Sequence, residues 1–243
     1  MNDQDENVSP KKLIVSVSAI ALNFDLVSSD PNLSRADEIR VLLPKNKKPP
    51  RGSKEGKPPG FGIPTGQTES KETIESTVER ETKDETGYPV TRIIGKAFVI
   101  HKHWIPNEMH IFVVENSDYS VGVREREEID WSVEPWHILR EVFSLPPAQD
   151  KQCGSRNPNG IYYSHRMRLF RGLETMLRHP QDLIDGDKIV KWVRPYRKDL
   201  LYAMEDLEKA GLLDELQAQY THYEQIPDEQ ISVYDQVTGE EVY

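Results

Sequence analysis

The chain is short of cysteine: Cys153 is the only one among 243 residues. A lone thiol closes no internal disulfide, so packing must hold the fold, and this usage fits a reducing compartment. Long apolar runs are missing too. None approaches the roughly 20 residues that a membrane-spanning helix needs, so no membrane partner is expected. The start, MNDQDENVSPKK, is polar and acidic and is not a secretory leader. A cytoplasmic location is the expectation. Basic charge is also in deficit. Lys and Arg number 31 against 41 Asp and Glu, a formal net charge of -10. Such a field argues against nucleic acid as a partner. An anionic small molecule remains admissible where a metal ion or a local basic patch offsets the charge.

The apolar residues that are present are clustered, which allows a packed core. Residues 1–10 read as a disordered tail. Residues 11–147 read as the main domain, 148–160 (AQDKQCGSRNPNG from 148) as a linker, 161–222 as a helical extension and 223–243 as an acidic tail. Leu13 to Phe24 is β-branched and apolar, and reads as a strand. Arg40 to Leu43 gives a second. Residues 45–60, KNKKPPRGSKEGKPPG, read as a basic loop broken by Pro and Gly. The pattern predicts a helix over 70–86, with Ser70 as N-cap, Gly87 after its end and Pro89 blocking continuation. Ile93 to Ile100 and Ile111 to Val114 read as strands joined by the loop HKHWIPNEMH. Ile129 to Val133 reads as a strand and Trp136 to Phe143 as a helix. In the extension, Tyr162, Leu169, Leu173, Met176 and Leu177 recur at helical spacing, as do Leu200, Leu201, Met204 and Leu207.

The informative segment is Gly66 to Tyr88, GQTESKETIESTVERETKDETGY. On a helix, Glu81, Asp84 and Glu85 share one face. Three carboxylates so placed repel each other, and a divalent cation turns that repulsion into a site. Magnesium takes hard oxygen ligands and is often shared with substrate phosphates. Arg80 can clamp a carboxylate through two hydrogen bonds. Glu72 falls in the first turn of the expected helix, where negative charge is favoured. Gly66 lets the backbone pass close to a metal or phosphate.

This segment resembles the Nudix box, G-x5-E-x7-R-E-U-x-E-E-x-G-U, where U is a bulky apolar residue. Gly66, Glu72, Arg80, Glu81, Glu85 and Gly87 match at the required spacings. Asp84 stands in for the first glutamate of the pair. Thr82 and Tyr88 depart at the two apolar positions. The resemblance extends loosely over about residues 10 to 147 and implies an α/β (α+β) fold. That fold is a Nudix-type α/β/α sandwich with a mixed sheet, here followed by a C-terminal helical extension. It implies metal ligation by Glu81, Asp84, Glu85 and the Thr65 carbonyl, with Mg2+ as cofactor and Mn2+ as the alternative. It further implies catalysis by Glu81 and Glu85, supported by Arg80, Glu72 and a later glutamate. Glu125, Glu127 and Glu128 lie in the right region, and Glu127 or Glu128 is preferred. The implied reaction is hydrolysis of a phosphoanhydride bond in a nucleoside diphosphate linked to another moiety, with ADP-ribose-like substrates as the default.

Competing readings remain. A solvated acidic helix face explains Glu81, Asp84 and Glu85 without a metal. A Nudix fold can also lose catalysis. The basic loop 45–57 reads as solvated, and His101, His103, His110, Trp104 and Tyr119 as structural. Some Nudix-like proteins are ligand-sensing transcriptional regulators with C-terminal DNA-binding helices. Arg194, Arg197, Lys198 and the segment 207–213 are faintly compatible with that, though no basic recognition helix stands out. A third reading gives the extension a lid or homodimerisation role.

Overall fold

The computed structural model describes residues 13–24, 39–47, 59–102, 107–116, 126–127, 129–146, 148 and 157–209. The expected tails, Cys153, His103, Trp104, Tyr119, Glu125, Glu128 and most of the basic loop lie outside these residues.

The centre of the fold is β1 (Ile14–Asn23), the apolar run read from the sequence. Along one edge it pairs in parallel with β7 (Asn107–Glu115), from Ile14 against Asn107 to Leu22 against Glu115. Along the other edge it pairs antiparallel with two short strands. These are β5 (Thr65–Gln67) at Ser16 to Ser18, and β2 (Arg40–Leu42) at Leu22 and Asn23. The outer strands are β6 (Arg92–Lys102) beyond β7 and β8 (Trp136–Ile138) beyond β2, all in antiparallel pairing. The sheet is therefore mixed, in the order β6-β7-β1-β2-β8, with β5 beside β1.

Alternation along β1 divides the core into two. Val17, Ala19 and Ala21, with Phe112 and Val114 of β7, pack on Val78 of α1 (Ile74–Thr86). Ile20 and Leu22, with Ile111 and Val113, face the other way and pack with Phe170 and Leu173 of α3 (Tyr163–Arg178). A Cβ at Gly172 would overlap the Ile20 side chain, so glycine is what lets α3 lie this close to β1. The result is the α/β/α sandwich, and the first helix of the extension supplies its second helical layer. α4 (Gly186–Val193) and α5 (Arg197–Lys209) complete that side, burying Ile189, Val193, Leu200 and Met204. The described part of the linker binds the two regions together. Phe61 donates to the Gly160 carbonyl at 2.8 Å, and Tyr162 returns a bond to Phe61 at 2.9 Å.

Five local expectations need correction. The first helix begins at Ile74 rather than near Ser70, because Thr73 is the N-cap and exchanges hydrogen bonds with Ser76 in a capping box. Lys71, at φ 77°, turns the chain left-handed just before it. Trp136 to Phe143 does not form one helix: Trp136 to Ile138 pair with β2, and α2 (Leu139–Val142) follows. Ile129 makes only an isolated bridge, to Asn46. Part of the basic loop is ordered, since β3 (Lys45–Asn46) pairs with β4 (Gly60–Phe61). The loop expected at 101–110 is shorter, as β6 and β7 stay paired to Lys102 and Asn107.

Candidate active site

The loop before α1 and the helix itself form one polar unit. Glu72 precedes the N-cap, not the first turn as expected, and faces back onto the helix. Arg80 donates to it from Nε at 2.6 Å and from Nη2 at 2.9 Å. The Glu69 amide adds a bond of 2.9 Å and the Thr77 hydroxyl one of 3.2 Å. The Arg80 hydrogen bonds, and next the Glu69 amide, hold the Glu72 carboxyl down at about 2, against an ordinary 4.5. The same contact raises the Arg80 guanidinium. Arg80 also donates to the Gln67 carbonyl at 3.1 Å, so Glu72 and Arg80 tie the loop to β5.

The next turn carries the acidic face. Arg80 Nη1 donates to Glu81 Oε1 at 2.7 Å. The Glu81 side chain is 6% exposed and lies against Gly66, where a Cβ would overlap its carboxyl group. That overlap is the reason for glycine at this position. Glu85 accepts from the Thr65 amide at 3.0 Å. In a strand the N–H and C=O of one residue leave by the same edge, so the Thr65 carbonyl shares the edge that faces Glu85. Asp84 is the most open of the three, at 39% side-chain exposure. Gly87, at φ 78°, closes the helix with a bond to the Lys83 carbonyl.

Both departures from the apolar pattern are absorbed by packing. Thr82 is fully buried, with its hydroxyl donating to the Val78 carbonyl at 2.7 Å. Tyr88 is buried edge-on to Trp136, and its hydroxyl reaches Glu134 at 3.1 Å.

Sequence reasoning missed Arg126. It donates from Nη2 to Glu81 Oε2 at 2.6 Å and from Nη1 to Glu85 Oε1 at 3.3 Å, and its Nη2 lies 3.5 Å from Asp84 Oδ2. Burial works against the guanidinium's charge, but Glu85 and Glu81 outweigh it and its pKa is raised. Trp131 Nε1 holds the Arg126 carbonyl at 2.9 Å. Its neighbour Glu127 is exposed, and the expected glutamate at 128 lies outside the described residues. No signal around 126 marked it, since it belongs to the charged run REREE. Tyr162, read as a core residue, also comes close to the site. Its hydroxyl is pushed up to about 12, by burial first, with the Glu85 charge adding to it.

The donor set suits a hard divalent cation: three carboxylates on one helix face, with a strand carbonyl opposite. Among the described residues no three His, Cys, Asp or Glu groups converge as a ligand set. Glu81, Asp84 and Glu85 instead all lie against the Arg126 guanidinium. His101 and His110 each approach Glu108, at 3.6 and 3.4 Å, away from this face.

The family model of the NUDIX domain matches residues 33–156, just over half of the chain, and the chain belongs to that family. Among solved structures it is similar to the NUDIX domain of Shewanella oneidensis NrtR complexed with ADP ribose. Identity there is 15%, coverage is 72% of this chain and 99% of that one, and the TM-score is 0.45. A NUDIX hydrolase from Nitrosomonas europaea shares 19% identity over 70% of this chain and 73% of its own, at a TM-score of 0.40. A second structure from that organism shares 19% over 68% and 90%, at 0.38. No curated protein matches the chain. Among the described residues, no helix is long and apolar enough to cross a membrane.

Proposed function

We propose that this protein is a magnesium-dependent hydrolase. It would cleave the phosphoanhydride bond of a nucleoside diphosphate linked to another moiety, with ADP-ribose-like compounds as the first class to test. The observation that carries the reading is the charge on the acidic face. Glu69, Glu72, Glu81, Asp84 and Glu85 are five carboxylates set against two guanidiniums, Arg80 and Arg126. The carboxylates outnumber the guanidiniums, and that formal negative surplus favours a divalent cation. Glu81, Asp84, Glu85 and the Thr65 carbonyl would hold it, with Mn2+ able to replace Mg2+. When bound, the metal would polarise the bridging phosphates and activate water.

The chain's own residues supply the positioning. The Glu72–Arg80 clamp fixes Glu81 toward Gly66, while the Thr65 amide holds Oε2 of Glu85 and Arg126 its Oε1, so a metal would take Oε1 in place of Arg126. Glu127 and Glu128 remain the proposed contributors of a further base from the later loop. The cytoplasm remains the expected compartment, in keeping with the single cysteine.

One observation favours a second reading. Arg126 already neutralises the metal-binding oxygens, as a Nudix domain that senses a ligand without cleaving it would allow. The test is incubation of the protein in magnesium with nucleotide sugars, dinucleoside polyphosphates and nucleoside triphosphates, with Glu85→Gln alongside. Cleavage that needs magnesium and collapses in the variant supports the hydrolase. Ligand binding without turnover across the panel supports the sensor.

A further inference from the structure

Three arginines of α3 turn toward the body of the fold, and two of them have structural partners. Arg166 is buried and donates to the Phe143 carbonyl at 2.6 Å. Arg171 lies over the Phe98 ring, 4.5 Å from its centroid. Arg168 differs from both. It is 4% exposed, and its hydrogen bond runs from Nη1 to Ser18 Oγ at 3.3 Å. That acceptor is a neutral hydroxyl, at a distance beyond the usual range for such bonds. Among the described residues no carboxylate lies within 4.0 Å of Arg168. A guanidinium carries five N–H donors and keeps its charge at any physiological pH. Burying it without an anion is costly, and such a group marks a place that an anion completes.

The position of Arg168 relates it to the acidic face. Ser18 Oγ is 2.6 Å from Thr65 Oγ1, and the Thr65 amide bonds Glu85 at 3.0 Å. On the α3 side of β1, Arg168 is therefore linked through Ser18 to Thr65, the strand residue whose amide bonds Glu85 of the acidic face. We propose that Arg168 is a phosphate-binding residue, which takes a non-bridging oxygen of a diphosphate held at that face. The assignment rests on the diphosphate reading of the site and adds a cationic contact to it. Arg168 then serves binding and orientation, while the carboxylates serve the metal.

The experiment is calorimetric titration of the whole chain with inorganic pyrophosphate in magnesium, for the wild type, Arg168→Lys and Arg168→Met. Melting temperatures are measured with and without pyrophosphate. Arg168→Met should bind about tenfold more weakly, the loss expected for one charged hydrogen bond, and Arg168→Lys should recover part of it. Neither should melt below the wild type without ligand, because the charge removed has no anionic partner there. Pyrophosphate should raise the melting temperature of the wild type more than that of Arg168→Met. Unchanged affinity in Arg168→Met, or no binding by the wild type, overturns the assignment. So does lower melting of both variants, which would make Arg168 a packing residue. Turnover is not the readout. A chain that binds pyrophosphate through Arg168 but hydrolyses nothing would remove the hydrolase reading and keep this one. A hydrolase whose Arg168→Met variant binds unchanged would do the opposite.

Discussion

Arg126 Nη2 lies 2.6 Å from Glu81 Oε2, and the same guanidinium lies within 3.5 Å of Glu85 and Asp84. One cation from a distant loop thus holds the oxygens that a divalent metal would need. Guanidinium and metal compete for the same lone pairs.

Arg126→Gln tests that competition. Without magnesium the variant should lose about 2 kcal/mol of stability, the scale of one charge-assisted hydrogen bond. With magnesium, its melting temperature should rise more than the wild type's, since the metal no longer displaces a bound cation. Equal magnesium-induced shifts would mean that Arg126 does not occupy the metal's place.

Gly66→Ala places a methyl group on the Glu81 carboxyl. Overpacking of this kind costs about 1–3 kcal/mol. Urea unfolding should show that loss, and magnesium should stabilise the variant less, because Glu81 must move. A variant as stable and as magnesium-responsive as the wild type would remove the close approach from the account.

Truncation after Ala148 removes Leu169, Phe170, Leu173, Met176 and Leu177, all at most 2% exposed and packed on the sheet. Each large core side chain is worth about 2–5 kcal/mol, so the truncated chain should not fold. Sedimentation and circular dichroism check this. A folded monomer would make the extension a separate module.

Stability should fall with acid in two windows. Burial holds the His110 and His137 imidazoles below their ordinary 6.5. The unfolded chain then binds protons that the folded chain refuses, so stability is full above pH 6.5 and declines as pH falls below it. Glu72, held at about 2 mainly by its hydrogen bonds to Arg80, contributes stability above its ordinary 4.5 that is lost as pH falls toward 2. Urea midpoints across pH follow both windows. His110→Gln and His137→Gln should flatten the upper window and leave the lower one in place.

Local pattern carried much of this structure. The apolar run of β1, the glycine at the end of α1 and the shared face of Glu81, Asp84 and Glu85 are all readable from neighbouring residues. The helix start was misplaced because Ser70 and Thr73 are both good caps. The choice depended on Lys71 turning left-handed, which no neighbour encodes. Trp136 to Phe143 is apolar enough for a helix, but pairing with β2 overrode that pattern. Arg126 lies 45 residues from Glu81, and Arg168 lies 150 from Ser18. Only the fold brings such pairs together. The stripe along α3 also reads alike whether the helix forms an appendage or the second layer of a sandwich.

The central claim is that the carboxylates of α1 hold a divalent cation. Titration of Mn2+ into the protein, with the free ion followed by electron paramagnetic resonance, tests it most directly. Wild type should bind the ion, and Glu81→Gln combined with Glu85→Gln should lose that binding while remaining folded. Unchanged binding in the double variant would place the metal elsewhere and contradict the account.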